Sequence, residues 1–148
     1  MARLELTGFD DIDKMFEILG KPEEFAIKAV NKAAPILEKH TRDAVRASSS
    51  SDKLAGSFSA IPAKQNDLGV YSVVRPTGDF NEDLSNAELA AQFEYGRKGG
   101  HKRQGMKRKS TTMAPRPWRD KALNGAKAEC ESIAEQEVYN AIDEAVGK

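Results

Sequence analysis

Residues that carry most enzyme chemistry are scarce in this chain of 148 amino acids, which contains one cysteine and two histidines. The single cysteine, Cys130, excludes an intramolecular disulfide and is typical of a protein that folds in a reducing compartment. No Cys–Cys or His–Glu–His spacing suits a zinc ion. The glycine-rich stretch at 96–100 lacks the Gly-Lys-Ser/Thr ending of a phosphate-binding loop. The sequence therefore predicts a protein that is not an enzyme and holds no metal or cofactor.

The positions of the histidines and the cysteine agree with that interpretation. His40 lies on or beside the apolar face of a predicted helix, which favours a packed or partly exposed side chain over a catalytic base. His101 stands in a basic segment, where the surrounding positive charge disfavours its protonation. Cys130 falls on a predicted core stripe, which favours a buried, inert thiol over a nucleophile. No catalytic residue is predicted.

Long apolar runs are also missing. No stretch approaches the roughly 20 residues that span a bilayer, and the segment Met1–Glu5 lacks the apolar centre of a signal peptide. We therefore expect no contact with a membrane. A length of 148 residues is typical of one domain. The chain is predicted to form a single domain over 1–148, from which a basic loop at 97–113 protrudes.

Charge is balanced overall but unevenly distributed. Residues 1–96 carry 11 basic and 16 acidic side chains, residues 97–121 carry 10 basic and one acidic, and residues 122–148 carry two basic and six acidic. A basic segment between acidic flanks favours contact with an acidic surface. That surface is a neighbouring copy of the chain, another protein or nucleic acid.

Helical periodicity dominates the first third of the chain. A short strand or arm is predicted at 3–8. The spacing of Phe9, Ile12, Phe16 and Leu19 then predicts a short helix that is capped by Asp10 or Asp11 and ended by Gly20. A second, long helix is predicted from Pro22 to about Ala47. Pro35 lies inside it and is expected to kink it. The serines at 48–51 predict a flexible loop.

The middle of the chain predicts strands, and the end predicts another helix. Strands at 58–64 and 68–74 flank a turn at Asn66-Asp67, and Pro62 indicates an edge or a bulge. A short helix is predicted over Asn86–Glu94. A final helix is predicted over about 119–146, with an apolar stripe formed by Leu123, Ala126, Cys130, Ile133, Ala134, Val138, Ala141, Ile142 and Ala145. The fold class is therefore α+β: an antiparallel sheet packed by a long N-terminal helix and a long C-terminal helix, with a long basic loop.

The basic loop has two open interpretations. Its cationic side chains are Arg97, Lys98, Lys102, Arg103, Lys107, Arg108 and Lys109. They form either an interface that orders against an acidic protein partner or a surface that faces DNA and neutralises phosphates. The loop has no aromatic residue on which bases stack, and no recognition helix is evident, which favours the protein interface.

Three segments together resemble a known family. They are Leu54-Ala55-Gly56-Ser57-Phe58 after a long helix, Ala90-Ala91-Gln92-Phe93-Glu94-Tyr95-Gly96, and Ala114-Pro115-Arg116-Pro117-Trp118-Arg119-Asp120-Lys121-Ala122-Leu123 at the start of the last helix. The chain is similar in these segments, and over nearly its whole length, to the tail-component family of long-tailed phages typified by the gene-ten product of an HK-type lambdoid phage. Asp52-Lys53 stands where the family often has Thr-Gly, and Trp118 stands where Phe is common.

The resemblance implies a structural virion protein of a tailed bacteriophage. Family members are described as neck, tail-completion or head–tail joining proteins, so the expected form is a ring of six copies at the head–tail junction. The expected partners are further copies of the chain, head-closure or connector proteins, and a tail-terminator or tail-tube protein, with packaged DNA as a further candidate. The expected location is the virion, after synthesis in the host cytoplasm. A tail-terminator ring that caps the tail tube, or a nucleic-acid-binding module, is the alternative.

Six residues of the resemblance have predicted structural roles. Gly96 permits a sharp turn after the short helix. Pro115 and Pro117 hold an extended approach to the last helix, because each proline disfavours helical geometry in the residue before it. Trp118 anchors that helix on the sheet through its large apolar area. Glu94 and Tyr95 are expected to form a hydrogen-bonded corner, and a ligand-binding role is the alternative for this pair.

Overall fold

The fold is described by a computed structural model over residues 22–99 and 111–146. The predicted arm at 3–8 and the predicted helix from Phe9 to Leu19 lie outside those ranges. The described chain contains the helices α1 (Pro22–Ser49), α2 (Asp52–Gly56), α3 (Asn86–Tyr95) and α4 (Arg119–Val146). Its strands are β1 (Phe58–Ala60), β2 (Lys64–Asn66), β3 (Gly69–Tyr71), β4 (Val74–Pro76), β5 (Asp79–Asn81) and β6 (Leu84–Ser85). The predicted α+β class with two long helices is confirmed, although the strands form three two-stranded ribbons and not one sheet.

Helix α1 is longer than predicted and continues on both sides of Pro35. Ser48 and Ser49 belong to the helix, so the predicted loop at 48–51 is too long. There are two physical reasons: tertiary packing buries Ser48, and the Ser49 hydroxyl donates to the Val45 carbonyl at 2.8 Å. A serine that bonds back to the preceding turn remains compatible with a helix.

A hairpin interrupted by a bulge carries β1 to β4. β1 pairs with β4 and β2 pairs with β3, both antiparallel. Between these pairs, the three residues at 61–63 face only the two at 72–73. This irregularity is a bulge, one of the two alternatives, an edge or a bulge, that Pro62 predicts. The turn residues are Asp67 and Leu68, between the paired Asn66 and Gly69.

The β5–β6 hairpin, which the sequence did not predict, leads directly into α3. Ser85 accepts the Glu88 backbone N–H at 3.2 Å, and the Glu88 carboxylate accepts the Ser85 N–H at 3.3 Å. This reciprocal cap satisfies two donors that the first turn leaves free. It therefore fixes the point at which α3 begins.

The two long helices pack along a seam of small side chains. Ala126, Cys130 and Ala134 of the predicted stripe are buried on α4, together with Ala122, which the stripe did not include. The larger members Leu123, Ile133, Val138 and Ile142, and also Ala141, are only half-buried, and the side chain of Ala145 lies outside the described set. The stripe was predicted too wide because only its small residues face α1 closely.

Side chains of α1 bind the backbone of β1. Glu38 accepts the Ala60 N–H at 2.7 Å, and the Arg42 guanidinium donates twice to the Phe58 carbonyl at 2.7 and 2.9 Å. Glu38 and Arg42 also form an i,i+4 ion pair at 2.7 Å. An unpaired strand edge otherwise exposes free donors and acceptors. The helix therefore covers part of the open edge of a very short strand.

We expect Glu38→Ala to lower the free energy of unfolding by about 1–2 kcal/mol, because the Ala60 N–H loses a charged acceptor. Urea denaturation followed by circular dichroism measures the change. The control is Lys39→Ala, at an exposed neighbour on the same helix, which should change stability by no more than about 0.5 kcal/mol. Equal effects of the two variants would contradict the bond to β1.

Candidate functional site

The candidate site is built around the turn that ends α3. Gly96 has φ +77° and ψ 178°, a conformation that L side chains rarely adopt. A Cβ at this position would lie 2.8 Å from the Met113 carbonyl oxygen and 2.9 Å from Pro115 Cδ. The chain after α3 and the chain before α4 therefore approach each other as closely as they do only because this residue is glycine.

The segment before α4 returns along the end of α3. Arg97 and Met113 form an antiparallel bridge with two backbone bonds of 2.8 Å. Three residues later, the Arg116 N–H donates to the Phe93 carbonyl at 2.6 Å. Pro115 and Pro117 are exposed, and both lie in the segment without regular secondary structure that precedes α4. The two ends of the basic loop at 97–113 are thus joined by backbone hydrogen bonds.

Glu94 binds the amino end of α4. Its Oε2 accepts the backbone N–H of Trp118 at 2.9 Å and that of Arg119 at 3.2 Å. The first turn of a helix has free N–H groups and a partial positive charge, so a carboxylate stabilises it. The predicted hydrogen-bonded corner at Glu94 is therefore a cap supplied by α3 to a helix that begins 25 residues later.

Trp118 fills the space between the corner and the core. Its indole Nε1 donates to the Ala90 carbonyl at 3.1 Å, and only 6% of the residue is exposed. Its ring meets the edge of Phe58 in β1, with centroids 5.1 Å apart and planes at 76°. Edge-to-face pairs of this kind add stability beyond their buried area. Trp118 thereby holds the start of α4 against both α3 and β1.

Tyr95 and Arg119 form the outer part of the corner. Arg119 Nη1 donates to the Tyr95 hydroxyl at 2.7 Å, and its guanidinium carbon lies 5.4 Å from the Tyr95 ring and 5.6 Å from the Trp118 ring. Arg119 was not predicted from the sequence as a site residue. A signal was available, because an arginine at the first position of a helix faces the positive end of the helix dipole and needs another reason to be there.

Among the basic loop residues, Arg97 and Lys98 lie in the described chain. The Arg97 guanidinium donates to the Thr111 carbonyl at 3.0 Å and to Gln92 Oε1 at 2.9 Å, so it stabilises the junction between residues 97 and 111–113. Lys98 is exposed. The other predicted interface residues lie outside the described ranges; they are Lys102, Arg103, Lys107, Arg108 and Lys109. His101 also lies outside them.

His40 and Cys130, the histidine and the cysteine within the described chain, both lie between the two long helices and bond across them. His40 Nε2 donates to Glu129 Oε1 at 2.9 Å across the two long helices, beside Gly125, where a Cβ would lie 2.9 Å from His40 Nδ1. Cys130 is fully buried, as predicted. Burial, followed by the charges of Glu129 and Glu131, raises the pKa of its thiol.

Metal centres and membrane-spanning helices are both absent from the part of the chain that the structure describes. No group of three or more His, Cys, Asp or Glu side chains within it is arranged to hold a metal ion. None of its helices combines the length and the apolar character that crossing a bilayer requires. The candidate functional site is therefore the corner from Glu94 to Arg119.

Comparison with known proteins gave no match: no family model, no curated protein and no solved structure is significantly similar to the chain. The resemblance in the three sequence segments therefore stays a prediction.

We expect Gly96→Ala to destabilise the fold by about 2–4 kcal/mol, because the new Cβ meets backbone atoms at a strained φ. Gly56→Ala is the matched control, since nothing lies within 4 Å of its added Cβ and its φ is not positive. That variant should be neutral or more stable by up to about 1 kcal/mol. Thermal unfolding of both variants tests this, and equal melting temperatures would contradict the close approach at Gly96.

The raised pKa of the Cys130 thiol predicts slow alkylation and a defined pH dependence. Native protein should resist iodoacetamide at neutral pH, whereas urea-unfolded protein should react as a free thiol does. The free energy of unfolding should be insensitive to this group below the ordinary thiol pKa. It should fall as the pH rises above that value, because the unfolded chain ionises first. Cys130→Ala should lack this fall, and rapid labelling of the native protein would contradict the prediction.

Proposed function

We propose that this chain is a structural protein of a tailed-phage particle, a ring subunit at the head–tail junction that acts in neck formation or tail completion. The observation that carries the proposal is the corner itself. The two segments with the more specific resemblance, Ala90–Gly96 and Ala114–Leu123, lie far apart in sequence but are joined through Glu94, Phe93 and Ala90. They therefore behave as one structural unit, as parts of a shared architecture would.

Charge supports a ring as the form of assembly. The basic stretch 97–121 lies between acidic regions, so one side of a copy is complementary to another side of its neighbour. Contacts between two different surfaces are head-to-tail, and they close into a ring when the rotation between copies permits. Six copies are the expected number, and a head-closure or connector protein and a tail-terminator or tail-tube protein are the expected neighbours. A tail-terminator ring is the finer alternative within this proposal.

We propose no catalytic role for Glu94 or His40. The carboxylate of Glu94 is occupied by two backbone N–H groups, and His40 is paired with Glu129. A general base or nucleophile needs a reacting group within reach, and both side chains are instead committed to joining helices. The proposal therefore assigns binding, and not chemistry, to the corner.

Native mass spectrometry and electron microscopy of the purified full chain test the proposal. We expect closed oligomers with a central opening, and a fixed copy number of the protein in purified phage particles. A chain that stays monomeric at every concentration and is also absent from purified particles would contradict it.

A nucleic-acid-binding module is the second candidate, favoured by the seven basic residues at 97–109. Its affinity for duplex DNA would fall steeply with salt, because bound phosphates release counterions. Replacing 100–110 by a short Gly-Ser turn would then abolish DNA binding. If this replacement leaves DNA affinity unchanged, the second candidate fails. Salt-sensitive DNA binding without oligomers or particle incorporation would favour it over the ring.

A further inference from the structure

A basic surface surrounds the carboxyl end of α3. Residues 94–99 and 111–121 carry five basic and two acidic side chains, and one of the acidic ones, Glu94, is occupied by the amino end of α4. We name four of the basic residues the basic corner: Lys98, Arg116, Arg119 and Lys121. Lys98, Arg116 and Lys121 are exposed and Arg119 is half-buried. The last turn of α3 has no basic residue of its own. Two members of the basic corner are tied to that turn from the segment that leads into α4: the Arg116 N–H bonds to the Phe93 carbonyl, and the Arg119 guanidinium bonds to the Tyr95 hydroxyl.

Neighbouring side chains fix the position of the Arg119 guanidinium. Its guanidinium lies against two aromatic rings and donates to the Tyr95 hydroxyl. Its Nε is buried without a hydrogen-bond acceptor among the described residues, so the arrangement is not the most favourable one for the isolated chain. Tyr95 is 66% exposed. A fixed arginine beside an exposed tyrosine is typical of the residues that dominate protein interfaces, because little side-chain entropy is lost on binding.

An acidic surface follows the far half of α4. Glu131, Glu135, Tyr139 and Asp143 succeed one another at a spacing of four, and all four are exposed; we name them the acidic stripe. Tyr139 is 67% exposed. Glu131 has a loose contact with Lys127 at 4.0 Å, and Glu135 and Asp143 have no ion-pair partner in the described chain. The stripe therefore offers carboxylates and an aromatic ring to a cationic partner.

One helix separates the two surfaces. Arg119 is the first residue of α4, and the stripe begins 12 residues later and extends to the 25th residue. At 1.5 Å per residue, the stripe lies about 18 to 36 Å along the helix from Arg119. A continuous helix does not fold back on itself, so the stripe of one chain does not reach the basic corner of the same chain. Contact between these complementary surfaces needs a second copy.

We propose that the basic corner of one copy docks on the acidic stripe of the next copy. This inference rests on the proposed function and names the contact that closes the ring. Because the corner and the stripe are different surfaces, the contact is head-to-tail and repeats around the assembly. The stripe and the basic corner carry opposite charges. An exposed tyrosine also lies at each surface: Tyr139 in the stripe and Tyr95 beside the basic corner. Helix α4 then spans each subunit from one interface to the other.

Charge reversal tests the contact. The corner variant carries Arg116→Glu and Lys121→Glu, and the stripe variant carries Glu131→Lys and Glu135→Lys, all at exposed positions. Each variant alone should raise the dissociation constant of self-association, measured by sedimentation velocity, by at least about 10-fold, because like charges then face each other. The chain with all four changes restores opposite charges and should associate to within about 3-fold of the unmodified protein, on the same principle.

Matched controls carry the same charge change elsewhere. Lys28→Glu with Lys39→Glu controls for the corner, and Asp67→Lys with Glu82→Lys controls for the stripe, all at exposed positions outside both surfaces. Both controls should assemble as the unmodified chain does. Circular dichroism and thermal unfolding verify that every variant folds.

Each other outcome overturns the inference. If reversal at the corner leaves the rings intact, the docking surface lies elsewhere, although the proposed ring function stands. If both single reversals weaken assembly and the fourfold variant does not restore it, the two surfaces do not meet. If the corner variant loses duplex-DNA binding while self-association is unchanged, the corner serves nucleic acid. If the unmodified chain never self-associates, the inference and the ring fall together.

Discussion

The carboxylate of Glu94 is the contact on which the arrangement of this protein depends. It accepts two backbone N–H groups at the start of α4 and thereby joins the end of one helix to the beginning of another. The amino end of a long helix carries free donors and a partial positive charge, so an unpaired start at this place in the fold would be costly. This contact fixes where α4 begins. The Trp118 indole stabilises the same position, because it donates to the Ala90 carbonyl and packs against the Phe58 ring.

The corner also determines what the rest of the chain can present. Because Arg97 and Met113 are paired, the basic loop starts and ends at one place on the surface. Because Arg119 is the first residue of α4, its guanidinium is held beside Tyr95. The carboxylates of the acidic stripe lie on the same helix, at least 12 residues after Arg119. A positive and a negative surface therefore lie on the two ends of one helix, and the proposed head-to-tail contact uses both of them.

Elsewhere the fold compensates for short strands and small side chains. The ribbons contain only two or three residues per strand, and such ribbons are marginal alone. Glu38 and Arg42 of α1 bind the backbone of β1, so part of the ribbon is stabilised by a helix and not by another strand. The seam between α1 and α4 is built from small residues such as Ala33 and Ala126, which lets the helices approach closely.

The sequence by itself determined the long helices, the hairpin with its bulge at Pro62, the turn at Gly96 and the burial of Cys130. These features follow from local signals: apolar periodicity, the fixed φ of proline and the freedom of glycine. Only the tertiary structure decided that Glu94 caps α4, that Arg119 stacks on Tyr95 and that Ser48 belongs to a helix. Those contacts join residues distant in sequence or depend on burial, and no local periodicity encodes which distant backbone donor a carboxylate will meet.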